Sequence, residues 1–462
     1  MAQKYTRSVA TNMVIANMIG TGIFTALGFQ VIDTGIPDAF SILVIWTLGG
    51  LVALCGATVY GEVATRVNKS GGEYAFLSHI YHPLLGFISG WISLIVGFSA
   101  AIAALALAAG EYFLPVLGFS KESGLDLSFT FMPYSKVVAL FILGLVAMIH
   151  LQGVKMGGIF QNLMTYVKLG LILVFLVIPF LFLGDYEPSG VRFAPTDKTN
   201  DTIFSLSFAG ALAWVMFAYS GWNASTYIVR SLENPKRNLP FSLLVGTLIV
   251  TVIYILLNFV FMYVASFDEL AFQVDLGNVV ANKILGDNVG LIFSMVFSLA
   301  LISGVSAMFI AGPRVAEEIG KDYKLFAQLG NQTRGGTPKY GILFILLVSA
   351  LLVVFSNFED IIQYISLTLI IFSTLTVMGV FILRHREKKT GETTPDHVVK
   401  SIAYPIAPII FIAICLWMIG YFAGNDYMYL LWSLGTMVPA VVIYYVSKNN
   451  DSDNSSPSSD NG

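Results

Sequence analysis

Long apolar runs, separated by short polar stretches, dominate the pattern of hydrophobic and polar positions along the chain. Crossing roughly 30 Å of hydrocarbon takes roughly 20 helical residues. About twelve runs are this long, near 9–32, 39–65, 84–114, 134–153, 155–184, 203–229, 238–266, 288–312, 338–356, 359–383, 402–423 and 427–447. A transmembrane barrel would need shorter segments of alternating polarity. The pattern therefore predicts an all-α integral membrane protein with about twelve transmembrane helices.

Two of the runs, the first and the sixth, are interrupted near their middle by residues that weaken a helix. The first contains MIGTGIF at residues 18–24, and the sixth contains FAYSGWN at residues 217–223. Each glycine costs a helix about 1 kcal/mol relative to alanine. Interruptions at corresponding positions of two halves are typical of transporters built from inverted repeats, whose sites lie at the bilayer midplane.

Two polar stretches, 185–202 and 384–400, divide the runs into groups of five, five and two. The last residues are rich in Ser, Asn and Asp and lack apolar anchors, which is typical of disorder. The predicted organisation is a cytoplasmic N-terminus at 1–8, a first five-helix repeat at 9–184, a second, inverted five-helix repeat at 203–383, two peripheral helices at 402–447 and a disordered cytoplasmic tail at 448–462.

An unwound turn in a membrane helix exposes peptide groups to a ligand. Around Gly20, Thr21 and Gly22, freed N–H groups would form an anion-binding pocket at the positive end of a helix dipole. Freed carbonyls would bind an ammonium group, so two crossing interrupted helices can bind a zwitterionic α-amino acid without a charged side chain. The alternative is that these small residues only form a close-packed helix surface, a common use of glycine in membranes.

The second interruption places aromatic surface beside freed backbone. The flexible pair Ser220 and Gly221 lies between Phe217 and Trp222, with Asn223 behind them. These rings could instead serve packing or an interfacial belt. However, belt residues belong near the membrane surface, and these lie near the middle of their run.

Lys168 is a charged residue deep in the fifth run. An intramembrane charge is costly and predicts a function by default. Gln161, Thr165 and Lys168 follow helical spacing, so they predict one polar stripe that faces the bundle interior. The ammonium could occupy the place where a sodium-coupled protein holds its cation, or it could simply donate to carbonyls at a helix end.

Other polar residues are weaker candidates. Tyr254 and Asn258 in the seventh run could reach the site or form ordinary interhelical hydrogen bonds. Cys55 and Cys415 lie inside apolar runs, so no disulfide in an outer loop is expected. The five histidines lie at or beyond run ends, and neither a nucleophile set nor a phosphate-binding loop is recognisable. We therefore expect no enzymatic activity, no metal and no cofactor.

The composition agrees with a membrane protein. Of 462 residues, 56% are hydrophobic and 11% charged, whereas soluble domains carry roughly 25% charged residues. Lys and Arg concentrate in the loops that lie inside if the N-terminus is cytoplasmic, so the positive-inside rule places both termini in the cytoplasm. The net charge of −3 argues neither for nor against a polyanionic partner.

Several motifs resemble those of the amino acid–polyamine–organocation transporters, and most closely those of the L-type amino acid exchanger branch. The motifs are MIGTGIF, YGEVATRVNKSGGEYAFLSHIYHPLLGFISGW at 60–91, TYVKLG at 165–170, FAYSGWN and NPKRNLP at 234–240. The resemblance covers about residues 8–445. It implies a LeuT-type fold, with a core of 5+5 inverted repeats in which helices 1 and 6 are broken, and two peripheral helices.

The resemblance also implies a substrate site at the two interruptions. Amides of the first would bind the substrate carboxylate, and the carbonyls of Ile19, Phe217 and Ser220 would bind its amino group. Phe217 would close over the substrate as a gate, Lys168 would replace the sodium ion of sodium-dependent relatives, and Tyr254 would lie nearby. The expected substrate-binding residues are Ile19, Gly20, Thr21, Gly22, Ile23, Phe217, Ala218, Ser220, Gly221, Trp222, Asn223 and Tyr254.

The chain departs from this family pattern in two places. Arg230 and Ser231 stand where relatives often have a carboxylate pair, which puts analogous inner-gate contacts in doubt. The loop at 115–133 lacks the cysteine by which animal members attach a heavy chain, so no heavy-chain subunit is expected. The expected partners are an amino acid substrate and the lipid bilayer, without nucleic acid.

These observations predict a sodium-independent secondary transporter of the cytoplasmic membrane that works by alternating access, as an exchanger or with a proton. Ser220 adds volume without charge, and no countercharge for a cationic or acidic substrate is recognisable, so neutral amino acids are expected. The alternatives are a proton-coupled permease for cationic amino acids or polyamines, a channel and an amino-acid-sensing receptor. A membrane-embedded enzyme is disfavoured because convergent His, Cys, Asp and Glu are missing from the apolar runs.

Overall fold

The protein is almost entirely helical in its computed structural model. The structure describes residues 4–33, 36, 38–119, 124–127, 130–182, 188–197, 199–203, 205–273, 276–286, 290–355, 358–390, 394, 398–425 and 427–453. Within these residues one small antiparallel sheet pairs β1 (Gly124–Leu127) with β2 (Thr130–Pro133).

The helices follow the apolar runs. The first half contains α1 (Arg7–Met18), α2 (Gly22–Asp33), α3 (Ala39–Val67), α4 (Glu73–Ile80), α5 (Pro83–Ile92), a π-helix (Ser93–Ala100), α6 (Ala101–Phe113), a 3₁₀ turn (Pro115–Leu117), α7 (Tyr134–Leu151) and α8 (Val154–Leu181). The second half contains α9 (Thr199–Ile203), α10 (Leu206–Ala218), a 3₁₀-helix (Ala224–Ser231), α11 (Pro235–Val264), α12 (Phe267–Leu270), α13 (Leu276–Leu285), α14 (Gly290–Asp322), a 3₁₀-helix (Lys324–Gly330), α15 (Lys339–Phe355), α16 (Phe358–Thr390), α17 (Ile406–Asn425) and α18 (Tyr427–Asp453).

Nine helical segments among the described residues are long and apolar enough to cross a membrane. Two more apolar helices, Phe208–Ala218 and Lys339–Phe355, are shorter. A nearly all-helical protein with many membrane-spanning segments is therefore confirmed.

Two predicted boundaries differ from the structure. The charge-rich sequence at 314–340 predicts a short amphipathic helix and a loop, but the start of this segment belongs to α14, which continues to Asp322. Its charges do not end the helix because Arg314 and Glu317 are both 2% exposed and form an ion pair of 2.7 Å along one helix face. At the C-terminus α18 reaches Asp453, so residues 448–453 of the predicted disordered tail are helical. A helix nucleated in an apolar span extends at little cost, since each added residue gains a hydrogen bond.

The first apolar run contains a gap between two helices. α1 ends at Met18 and α2 begins at Gly22, and residues 19–21 between them are not helical. The Ile19 N–H still bonds the Ile15 carbonyl, at 3.0 Å, before the helix pattern is lost. The carbonyl end of α1 and the amide end of α2 therefore face each other across three residues.

The sixth run contains a matching gap. α10 ends at Ala218, and a turn through Gly221, with φ +93°, leads to the 3₁₀-helix Ala224–Ser231. A Cβ on Gly221 would lie 2.8 Å from Asn17 Cβ, and one on Gly22 would lie 2.8 Å from Ala218 Cα. Glycine thus allows the two gaps to pack directly against each other.

Candidate functional site

A cavity of about 130 Å³ lies where the two gaps meet. By this measure one water molecule needs about 10–15 Å³, so the cavity has room for a small solute. Nine of the expected site residues line it, namely Gly20, Thr21, Gly22, Phe217, Ala218, Ser220, Gly221, Trp222 and Asn223. The structure therefore brings most of the expected site together around one space.

The helix ends at the two gaps supply polar backbone groups to the cavity. α2 begins at Gly22, so the first N–H groups of α2, including that of Ile23, have no acceptor within the helix. They carry the positive end of the helix dipole, which favours a bound carboxylate. The Ile23 side chain is fully buried away from the cavity, so only its backbone remains a candidate contact.

Two of the three carbonyls expected to bind an amino group, those of Ile19 and Phe217, already have partners in the protein. Lys168 donates to the Ile19 carbonyl at 2.7 Å, and the Ser220 N–H donates to the Phe217 carbonyl at 2.9 Å. A carbonyl oxygen has two lone pairs, so a second donor can still bind. Ile19 is fully buried and its side chain does not line the cavity.

Lys168 lies behind the cavity wall. Its side chain is fully buried, and Nζ donates to the carbonyls of Ile19 at 2.7 Å and Ala16 at 3.3 Å. These are orphan carbonyls at the end of α1, where a positive charge also suits the helix dipole. Gln161 and Thr165 are buried beside it on α8, which confirms that the polar stripe faces the interior.

Tyr254 joins the two gaps without lining the cavity. Its fully buried hydroxyl lies 2.5 Å from the Met18 carbonyl and 2.9 Å from the Ala218 carbonyl. Met18 is the last residue of α1, and Ala218 is the last residue of α10. One side chain of α11 therefore holds both interrupted helices at their broken ends.

The opposite wall of the cavity was not predicted from the sequence. It comes from the π-helix, α6, α14 and α16, and it is mostly apolar, with two hydroxyls. Its residues are Ser93, Gly97, Phe98, Ala101, Ala104, Leu105, Met308, Leu369, Ile370 and Ser373. A π-helix often marks a functional site, but ordinary apolar residues in a membrane helix carry no signal that distinguishes it.

Glu73, at the start of α4, also lines the cavity and was not predicted from the sequence. It is 2% exposed, and its Oε1 accepts hydrogen bonds from the Tyr60 hydroxyl at 2.5 Å and from Asn223 Nδ2 at 3.3 Å. Burial, opposed by these two hydrogen bonds, raises the pKa of Glu73 to about 7. One sequence signal could have identified Glu73. It is a glutamate between glycines and an aromatic residue, just before an apolar run.

The segment after the second gap contacts the N-terminus of the chain. The Tyr5 N–H donates to the Ser231 carbonyl at 2.7 Å, and the Glu233 N–H donates to the Tyr5 carbonyl at 2.9 Å. Arg230 lies 3.8 Å from Glu318 of α14. Arg230, which departs from the expected carboxylate pattern, thus forms an ion pair of its own.

Comparison with known proteins agrees with this architecture. The sequence model described as "Amino acid permease" matches residues 7–447. The chain belongs to the amino acid permease family. The resemblance to amino acid–polyamine–organocation transporters is thereby confirmed, and the family and its relatives are transporters and not enzymes.

Three relatives of this permease illustrate the similarity. The serine/threonine exchanger SteT of Bacillus subtilis (strain 168) is 28% identical over 446 residues, which are 95% of each chain. The b(0,+)-type amino acid transporter 1 of Mus musculus is 26% identical over 414 residues, 88% of this chain and 80% of the relative. The large neutral amino acids transporter small subunit 2 of Homo sapiens is 24% identical over 454 residues, 95% of this chain and 79% of the relative.

Proposed function

We propose that this permease is a secondary transporter that moves amino acids across the cytoplasmic membrane by alternating access. The observation that carries the proposal is the meeting of two interrupted helices around one cavity, where helix ends offer amides and carbonyls to a zwitterion. In this proposal the chain has twelve transmembrane helices with cytoplasmic termini, arranged as 5+5 inverted repeats and two peripheral helices. Phe217, partly exposed at the cavity, acts as the gate.

The preferred substrates are small or medium neutral amino acids. Most of the unpredicted wall is apolar, and Ser220, Ser93 and Ser373 offer hydroxyls without charge. The relatives support this preference, because one is named a serine/threonine exchanger and another a large neutral amino acids transporter. We therefore expect serine, threonine, alanine and leucine to be transported in preference to arginine and glutamate.

Transport proceeds without sodium and without a heavy-chain subunit. The Lys168 ammonium binds the carbonyls at the end of α1, where a sodium ion would otherwise neutralise the same dipole end. The absence of cysteine from the 115–133 loop removes the attachment point for a heavy chain.

Exchange in liposomes tests the proposal directly. The purified full-length protein is reconstituted, loaded with unlabelled L-serine and offered labelled amino acids one at a time, with and without a proton gradient. We expect counter-substrate to accelerate the uptake of neutral amino acids, with empty liposomes as the control. Ion conductance without counter-substrate acceleration would favour a channel, and saturable binding without any flux would favour a receptor.

One observation favours a second candidate function, the transport of cationic amino acids. The Glu73 carboxyl lines the cavity and supplies the countercharge that the sequence did not reveal. If the ionised carboxylate binds a substrate side chain, labelled arginine and lysine will exceed serine in the same exchange screen. Replacing Glu73 by glutamine would then abolish that preference.

A further inference from the structure

Glu73 differs from the other buried glutamates of the described chain, because no cation pairs with it. Glu62 bonds Arg384 at 2.6 Å, Glu317 bonds Arg314 at 2.7 Å, and Glu318 bonds Lys321 at 2.9 Å. Glu73 has two neutral donors instead. A buried carboxylate without a cation costs free energy, and it commonly lowers this cost by binding a proton.

The hydrogen-bond pattern leaves one carboxyl oxygen for that proton. Both donors, the Tyr60 hydroxyl and the Asn223 amide, bond to Oε1. Within the described residues, Oε2 accepts no hydrogen bond. Glu73 lines the cavity, which gives a proton on its carboxyl a route to the space where the substrate is proposed to bind.

The carboxyl also connects α3 with the second gap. Tyr60 belongs to α3, whereas Asn223 is the last residue before the 3₁₀-helix Ala224–Ser231. A change of charge on Glu73 therefore changes a contact that holds FAYSGWN, the segment that lines the cavity.

The surrounding titratable groups do not supply an alternative charge. Two phenols face the carboxyl, Tyr60 from α3 and Tyr227 from the 3₁₀-helix, and phenols ordinarily titrate near 10. Uncharged Ser93 of the π-helix contacts Tyr227, and Thr376 of α16 contacts Tyr60. The charged groups on elements around α4 bond elsewhere: Asp322 to Tyr74, Arg386 to the Ile80 carbonyl, Arg384 to Glu62, and Glu318 to Lys321 and Arg230.

We infer that Glu73 is a proton-binding site of the cavity and that it takes up a proton when a neutral amino acid binds. A neutral substrate displaces water from the cavity and so desolvates the carboxyl further, which favours its protonated form. Linkage is reciprocal, so protonation in turn strengthens binding of the substrate. Because the pKa is raised from the ordinary value, the proton is bound below about pH 7 and lost above it. The second half of the inference rests on the proposed transport function, whereas the first half does not.

Infrared titration of the full-length protein tests the proton site without any need for transport. We expect the carbonyl stretch of a protonated carboxyl to disappear with a midpoint near pH 7 and to be missing from Glu73→Gln. In Tyr60→Phe, loss of a donor to the carboxylate moves the midpoint upward by about one pH unit. The solvent-side variant Glu269→Gln, which removes an exposed glutamate, keeps the wild-type band.

Adding L-serine at a fixed pH tests the coupling. We expect the midpoint to rise in the wild type, and a pH-sensitive dye in weakly buffered solution to report proton uptake that Glu73→Gln lacks. An unchanged band in Glu73→Gln would overturn the proton site. If the midpoint is unmoved by serine but lowered by arginine, the carboxylate recognises a cationic substrate and the coupling is wrong. Liposomes that show no exchange, beside an intact infrared titration, would reject the transport function and leave the proton site standing.

Discussion

Lys168 and Tyr254 stabilise irregular backbone inside the membrane-spanning region at the scale of single residues. Neither side chain lines the cavity at the gaps, yet each donates to carbonyls next to one. Buried peptide groups without partners are costly where no water can replace them. In the proposed transporter these two residues therefore affect substrate binding by fixing the backbone that forms the site, and their variants can be distinguished from variants of the lining itself.

Replacement of Lys168 by alanine should strongly reduce exchange. The change leaves the Ile19 and Ala16 carbonyls without the ammonium, and a buried unsatisfied acceptor costs about 1–3 kcal/mol. A loss of this size that falls on the transport-competent state lowers the rate roughly 5- to 150-fold. Initial rates of serine exchange in liposomes measure the effect. Lys155→Ala, at the exposed start of the same helix, serves as the matched control, and equal activity in both variants would make Lys168 a structural residue only.

Replacement of Tyr254 by phenylalanine should weaken substrate binding while the protein remains folded. The ring and its packing stay, and only the hydroxyl that contacts the Met18 and Ala218 carbonyls is lost. Loss of one such buried hydrogen bond costs about 1–3 kcal/mol, so we expect roughly a tenfold rise in the serine concentration for half-maximal exchange. Tyr263→Phe, farther along α11, provides the control. Unchanged affinity with only a lower melting temperature would contradict the proposed link to the site.

At the scale of elements, the two gaps depend on each other. Gly22 and Gly221 each lie where a side chain would clash with the partner segment, Ala218 in one case and Asn17 in the other. The sequence predicted both gaps from local composition, because glycine and serine weaken helices wherever they stand. Carbonyls at a helix end were one of the two partners considered for Lys168, but the sequence could not predict that Ile19 supplies one of them, because that contact joins residues 149 positions apart.

Gly22→Ala should lower both stability and exchange, in contrast to Gly20→Ala. A Cβ at Gly22 would lie 2.8 Å from Ala218 Cα, a backbone atom that cannot move aside easily, whereas one at Gly20 meets only Leu105 Cδ2 at 3.5 Å. Overpacking of this kind costs about 1–3 kcal/mol. Melting temperature in detergent and serine exchange in liposomes measure the two effects. Equal stability of the two variants would show that the gaps are not tightly packed together.

At the scale of the whole molecule, apolar run length predicted most of the architecture. It identified the helices because a span needs a minimum length regardless of its neighbours. Two helices extend beyond their apolar runs. α14 continues through a buried ion pair, and α18 continues into the predicted tail by helix propagation. The sequence did not predict that residues of the π-helix, α6, α14 and α16 line the cavity, because tertiary packing alone decides which apolar residues face a site.

The proposed sodium independence is a property of the whole transport cycle, and the position of the fixed charge is the argument for it. An ammonium already bonded to the end of α1 repels a sodium ion placed beside it, by about 4 kcal/mol at 4 Å under an effective dielectric constant of about 20. Lys168 already satisfies the carbonyls at the end of α1, so in the proposed cycle the conformational change needs no sodium binding step. We therefore expect serine exchange to have the same initial rate when choline replaces all the sodium on both sides of the liposome. The ionic strength is held constant, because surface electrostatics would otherwise change with salt. A saturable rise in rate as sodium is restored would show that a cation site exists despite Lys168, and that the lysine does not replace it.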